Sequence, residues 1–185
     1  MSRRTDAARN AELLLAAATE LFGEHGPEVA LDRIARRAGV GNATLYRHFP
    51  TRADLLIAVY EDEVAELCAH GAALASAPEP AEALFSWLES LAVHIKSKGA
   101  LAFTGTETNA ARRTALFDRW HASIRATADT LFDRARAQGA IREDLTVTDV
   151  LALTSAAANA ANGADDARRL IDLIRLGMEF RRIDP

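Results

Sequence analysis

Apolar residues recur along most of the chain at the three- and four-residue spacing of an amphipathic α-helix. The first such stretch begins at about Asn10 and stops at Gly26, which Pro27 follows. A glycine with a proline beyond it is a usual end of a helix. Residues 1–9 are polar, and we expect them to be frayed. The pattern therefore predicts a first helix that starts near Asn10.

The stretch from Leu31 to Phe49 predicts two short helices joined by a turn. Four apolar positions in its first half form one stripe: Leu31, Ile34, Ala35 and Ala38. Gly39 is expected to end this helix, because glycine readily takes the left-handed conformation found at helix ends. The second helix, about Asn42 to His48, is two turns long and needs an anchor. Three apolar residues are expected to supply it: Val40, Leu45 and Phe49. The remaining side chains then face outward, as in a helix-turn-helix motif that reads DNA.

After Pro50 the helical pattern resumes. Thr51 is expected to cap the next helix, with Asp54 three residues on in a capping-box arrangement. The chain before Pro80 reads as a linker, and Pro80 suits the first turn of a further helix. Residues 99–111 predict only a short or irregular helix. Three more helices are predicted over about residues 111–138, 148–161 and 165–181. No strand-like alternation occurs, so the predicted fold is all-α.

Charge is distributed unevenly between the two parts of the chain. The sequence of 185 residues is 49% hydrophobic and 26% charged, with a formal net charge of −4. Residues 1–60 hold eight Arg against seven Asp and Glu, a net of +1, and the remainder carries −5. A nucleic-acid binder of this composition must rely on a local basic cluster rather than on bulk charge. The candidates for that cluster are Arg33, Arg36, Arg37, Arg47 and Arg52.

Cysteine content and hydropathy indicate the compartment. Cys68 is the only cysteine, so an intrachain disulfide is excluded. The N-terminus lacks the continuous apolar segment of a secretory signal, and no run approaches eighteen apolar residues. We therefore expect a cytoplasmic protein without a membrane partner.

Six short motifs in the first third of the chain resemble a known family. They are Glu20-Leu21-Phe22, Ile34-Ala35, Ala38-Gly39-Val40, Thr44-Leu45-Tyr46, His48-Phe49 and Thr51-Arg52. In this order and spacing they resemble the DNA-binding domain of the TetR family of bacterial transcriptional regulators. The resemblance implies an N-terminal helix-turn-helix DNA-binding domain, here residues 1–54. A larger helical ligand-binding and dimerisation domain is then expected over residues 55–185.

Two positions depart from the family pattern. Val29 and Ala30 stand where the family usually has a Ser or Thr that caps the second helix and touches phosphate. Gly41 and Ala43 stand where it often has Ser and Gly at the start of the reading helix. The operator sequence of another member therefore does not transfer to this chain.

Eight residues are candidates for contacts with a double-stranded DNA operator. Asn42 and Arg47 have the donors that match adenine and guanine edges in the major groove. The family resemblance implies phosphate contacts for five others: Thr44, Tyr46, His48, Thr51 and Arg52. Arg33 is a candidate for either kind of contact. Each residue taken singly is more often a solvated surface residue, but the combined spacing favours the functional interpretation.

The resemblance also implies how the regulator is assembled and controlled. The last two helices pair with their copies in the family, so we expect a homodimer, although ordinary intrachain packing explains any single residue equally well. A dimer would place its reading helices about 34–36 Å apart, which predicts a palindromic operator. We expect the regulator to be a repressor, although the sequence does not distinguish repression from activation. A small-molecule effector is expected, with no other cofactor. Four residues are candidates for its pocket: Trp87, His94, Phe103 and Trp120. Buried aromatic residues and single histidines more often belong to the core, so that interpretation stays open.

Two other classes of protein compete with this interpretation. An enzyme is disfavoured because the chain has no HExxH, paired-cysteine, GxSxG or P-loop motif. The five histidines include no pair at the ligand spacing of a helical zinc site. A purely structural helical module would explain the later helices but not an outward Tyr46, Arg47 and His48.

Overall fold

The computed structural model describes residues 3–97 and 110–178, with side chains over 5–96 and 115–178. The regular elements in these ranges are α-helices. They are α1 (Arg3–His25), α2 (Leu31–Arg37), α3 (Asn42–His48), α4 (Arg52–Leu74), α5 (Pro80–Ser97), α6 (Ala110–Ala137), α7 (Val147–Ala160) and α8 (Ala164–Met178). The all-α prediction is confirmed. Within these ranges, a helix with the length and hydropathy to span a bilayer is not found.

The described residues form two compact units that divide within α4, between Asp62 and Glu63. The N-terminal unit contains α1, α2, α3 and the first part of α4. The C-terminal unit contains the rest of α4 and α5 to α8. The domain boundary that we predict from the sequence, after Asp54, lies near the start of the same helix and stays a prediction.

The N-terminal unit packs around one apolar cluster. Its most deeply buried members, each 0% exposed, are Leu14, Ala18, Ile34, Leu45 and Leu55. Ile34 and Leu45 come from the two short helices, so both helices are held by tertiary contacts rather than by their own propensity. The predicted second and third helices are therefore confirmed in position and in the face that they bury.

The first helix begins earlier than the sequence pattern predicts. α1 starts at Arg3, so the prediction that residues 1–9 are frayed was wrong for residues 3–9. Five of these seven residues are polar, the other two are alanines, and the segment contains neither glycine nor proline. Asp6 lies in the first turn, where an acidic side chain interacts favourably with the helix dipole. Polarity alone does not stop a helix.

α5 forms the centre of the C-terminal unit, because it packs against α6, α7 and α8. Its buried side chains include Leu84, Phe85, Trp87 and Leu88, none more than 1% exposed. α4 approaches α5 closely at Gly71, where an added Cβ would lie 2.9 Å from Nε1 of Trp87. This glycine is required by packing and not by its backbone conformation.

Helix ends in the C-terminal unit agree with most of the predicted boundaries. α6 ends before Gly139, whose φ of +69° is the left-handed conformation expected there. α7 begins one residue earlier than predicted, because Thr146 and Asp149 cap it reciprocally. The irregular segment predicted for 99–111 lies outside the described residues, except for 110–111, which belong to α6. The predicted end of the last helix lies beyond Met178, also outside them.

Candidate functional site

The turn between α2 and α3 has the geometry of a helix-turn-helix. Gly39 adopts a φ of +70°, and the backbone N–H of Val40 donates to the carbonyl of Ala35 at 3.0 Å. Gly41 is the N-cap of α3, and no side chain caps it. Leu45 is fully buried and Phe49 is 9% exposed, so the predicted anchor of the short helix is confirmed.

The opposite face of α3 is open to solvent. Asn42 and Arg47 are exposed, and Tyr46 is 52% exposed. Thr44 and His48 are half-buried at the edges of this face. Within the described part of the chain, Arg47 makes no hydrogen bond or ion pair, so its guanidinium donors are available to a ligand. These five residues form one surface, which we call the α3 face.

The start of α4 is fixed by a reciprocal cap. The backbone N–H of Asp54 donates to Oγ1 of Thr51 at 3.1 Å, and the backbone N–H of Thr51 donates to Oδ2 of Asp54 at 3.1 Å. The Thr51 hydroxyl also donates to this carboxylate at 2.7 Å. The predicted capping box is confirmed. Thr51 remains exposed at the surface, although its hydroxyl proton is engaged.

Arg52 has a structural role that the sequence analysis missed. Its Nη1 donates to the carbonyls of Pro27 at 2.6 Å and Val29 at 2.7 Å. Both carbonyls belong to the segment that enters α2, whose N-cap Ala30 supplies no side-chain hydrogen bond. The half-buried guanidinium therefore holds the segment that the missing cap leaves unsupported. The sequence pattern does not predict this contact, because Arg52 is more than 20 positions away from both carbonyls.

Two arginines of the predicted basic cluster are neutralised by carboxylates. Arg37 makes a bidentate ion pair with Glu20, whose Oε2 accepts from Nε at 3.0 Å. The hydrogen bond from Arg37 holds the pKa of Glu20 below its usual range. Arg36 lies 3.3 Å from Asp32, one helical turn away. The positive charge that remains without a carboxylate partner on α2 and α3 is carried by Arg33 and Arg47.

Three of the four candidate effector residues are buried in the C-terminal unit. Trp87 is fully buried, and its Nε1 donates to the carbonyl of Leu67 at 3.0 Å. His94 is 7% exposed, with Nδ1 3.5 Å from Oε2 of Glu63. Trp120 is 6% exposed and stacks edge-on against Phe117. Trp87 thus has an ordinary core role, and a ligand-binding role for these residues stays a prediction.

Phe103, the fourth candidate for the pocket, lies outside the described residues. Nothing in the structure bears on its predicted role.

The last two helices bury one face and expose another. The buried side chains include Val150 and Ala158 on α7 and Ala167 and Ile171 on α8. Three leucines project outward: Leu153, Leu173 and Leu176, which are 42%, 53% and 56% exposed. Within α8, Met178 is buried and Leu173 is exposed, so this helix carries apolar side chains on both faces. We call the three outward residues the leucine face.

Comparison with known proteins gives the same domain arrangement. A family model described as bacterial regulatory proteins of the tetR family matches residues 14–59. A second, described as the C-terminal domain of SbtR-like transcriptional regulators, matches residues 79–180. Among curated proteins, the HTH-type transcriptional regulator SAB2452 of Staphylococcus aureus is 39% identical over 62 residues. That match covers 33% of this chain and spans about a third of the relative's length, 34%.

Solved structures extend the similarity over nearly the whole chain. The TetR transcriptional regulator SCO0520 from Streptomyces coelicolor is 36% identical, with a TM-score of 0.74, over 91% of this chain and 98% of that chain. A TetR transcription regulatory protein from Mycobacterium vanbaalenii is 32% identical, with a TM-score of 0.75, and the match covers 97% of this chain and 100% of that chain. The family consists of regulators and not of enzymes. The chain therefore belongs to the TetR family of DNA-binding transcriptional regulators.

Proposed function

We propose that this protein is a homodimeric repressor that binds a palindromic operator and is released from it by a small-molecule effector. The observation that carries the proposal is the construction of α3. Its apolar side is fully buried at Leu45, while Asn42, Tyr46 and Arg47 are exposed together on the α3 face. A short helix whose apolar side is anchored in the core and whose opposite side is polar and exposed fits the major groove.

The residues of the α3 face divide into two roles. Asn42 and Arg47 contact base edges, because an amide matches adenine and a guanidinium matches guanine. Thr44, Tyr46 and His48 contact phosphates, which position the helix without reading sequence.

Three further residues flank the α3 face. Thr51 contacts phosphate at the start of α4, and Arg33 supplies a cation from α2. Arg52 contributes indirectly, because its hydrogen bonds to the carbonyls of Pro27 and Val29 hold the segment that leads into α2.

Dimerisation uses the leucine face of α7 and α8. Three large apolar side chains that are 42–56% exposed are costly to leave in water, and a second copy of the chain would cover them. The two-fold axis then presents one α3 from each subunit to successive major grooves, about 34–36 Å apart. An operator with two inverted half-sites follows from this symmetry.

The effector binds in the C-terminal unit, and the candidate residues of its pocket combine the apolar side chains of Trp87 and Trp120 with the polar groups of His94 and Glu63, where Nδ1 of His94 lies 3.5 Å from Oε2 of Glu63. Such a mixture of apolar walls and a few polar groups suits a small organic ligand. Binding favours a state in which the spacing of the reading helices no longer matches the DNA, so the operator is released by a shift in population.

Selection of bound duplexes from a random DNA pool tests the proposal. The expected product is an inverted repeat with half-site centres about one helical turn apart. Replacement of Arg47 by alanine should then relax the preference at one base pair of each half-site, a loss of about 1–3 kcal/mol in discrimination. The control is Arg119→Ala, at an exposed arginine of α6 in the other unit. Enrichment of no sequence, or of a single unrepeated site, would contradict the proposal.

A further inference from the structure

A hydrogen bond between His25 and Arg33 joins the end of α1 to α2. Nη2 of Arg33 lies 2.7 Å from Nε2 of His25. A guanidinium only donates, so Nε2 is the acceptor and the hydrogen of the neutral ring is on Nδ1. The carboxylate of Glu24 lies 3.4 Å from the same Nε2. Because a carboxylate only accepts, it makes no hydrogen bond with Nε2 in this tautomer.

This arrangement distinguishes Arg33 from the other two arginines of α2. Arg36 and Arg37 are paired with carboxylates, which neutralise their charge towards a polyanion. Arg33 is held instead by a neutral acceptor, so its position is restrained while its positive charge is retained. A side chain that is already ordered loses less conformational entropy when it binds a ligand.

We propose that His25 is a positioning residue for DNA binding, which holds the Arg33 guanidinium ready for its contact with the operator. The inference rests on the proposed function, since Arg33 must face DNA for its position to matter. His25 acts through Arg33 and need not touch DNA itself. Ordering one long side chain costs about 0.5–1.5 kcal/mol, so loss of the acceptor should weaken operator binding by about two- to tenfold.

The experiment measures the dissociation constant for the selected operator by fluorescence anisotropy. His25→Ala and His25→Leu remove the acceptor, and both should weaken binding by this factor. His25→Gln should restore binding, because the amide oxygen of glutamine can accept from Arg33 at a similar reach. A role limited to folding would not be rescued in this way. His121→Ala is the matched control, at an exposed histidine of α6 in the other unit.

A double-mutant cycle separates an effect through Arg33 from any other effect of His25. In an Arg33→Ala background, His25→Ala should cause no further loss of affinity. The inference is overturned if His25→Ala binds like the wild type, if Arg33→Ala has no effect, or if the two losses simply add. Wild-type protein that selects no DNA sequence would overturn the proposed function itself, which is a separate result.

Discussion

Nη1 of Arg52 lies 2.7 Å from the carbonyl oxygen of Val29, although the two residues are 23 positions apart. The contact fastens the start of α4 to the segment that leads into α2. Without it, the helix-turn-helix would have an uncapped α2 at the end of an unsupported loop. The position of α2 therefore depends on an arginine for which the family resemblance implies a phosphate contact.

Replacement of Arg52 by alanine should destabilise the N-terminal unit by about 1–3 kcal/mol, because two carbonyls lose a charged donor. Urea unfolding followed by circular dichroism measures this loss. Arg36→Ala, at an exposed arginine with only a surface ion pair, should change stability by less than about 0.5 kcal/mol. A normal stability of Arg52→Ala, together with a salt dependence of binding reduced by about one phosphate, would instead assign Arg52 a direct DNA contact.

Two glycines within helices should respond oppositely to alanine. At Gly71 the new Cβ would lie 2.1 Å from Cγ2 of Thr127 and 2.9 Å from the Trp87 indole, so Gly71→Ala should destabilise the protein by about 1–3 kcal/mol. At Gly23 nothing lies within 4 Å of the new Cβ, and Gly23→Ala should stabilise α1 by about 0.5–1 kcal/mol. Thermal unfolding compares the two variants. Equal effects of the same sign would mean that helix propensity, and not packing, determines both.

A charge on the leucine face should disrupt the proposed dimer. Leu173→Glu places a carboxylate where a second copy would pack, and we expect monomers together with weakened operator binding. Analytical ultracentrifugation and anisotropy measure the two effects. Leu13→Glu is the matched control, because Leu13 is similarly exposed, at 41%, but lies on α1. A wild-type protein that sediments as a monomer, or a Leu173→Glu variant that remains a dimer, would exclude this face as the interface.

The Glu20–Arg37 ion pair should make the stability of the N-terminal unit depend on acid pH. Because the pair lowers the pKa of Glu20 in the folded state, its contribution is complete above the pKa of an unfolded glutamate, about 4.3, and is lost as the pH falls through the lowered folded value. Glu20→Gln should therefore flatten the pH dependence of stability below about pH 5. Urea titrations between about pH 3 and 7 measure this, with Glu12→Gln, an exposed glutamate of α1, as the control. If the free energy of unfolding of Glu20→Gln varied with pH as it does in the wild type, the ion pair would contribute nothing to the pH dependence of stability.

The helices and the helix-turn-helix follow from short-range patterns of residues. The positive φ of Gly39, the capping box of Thr51 and Asp54, and the buried Leu45 all depend on neighbours within a few positions, and such signals can be read directly from the residue order. The start of α1 at Arg3 was not predicted, because a mostly polar segment without glycine or proline is compatible with either a helix or a frayed end.

The partners of the charged side chains, in contrast, depend on how the helices pack against each other. Five arginines form an apparent basic cluster in the sequence, yet Arg37 pairs with Glu20 on another helix, Arg52 turns to backbone carbonyls, and Arg33 is held by His25. A long flexible side chain takes the partner that folding brings within reach, and that partner lies 8 to 25 positions away in these three cases. Residue order alone gives no distance between such groups, so the arginines of α2 and α3 that stay exposed without a carboxylate partner could be located only after the helices had packed.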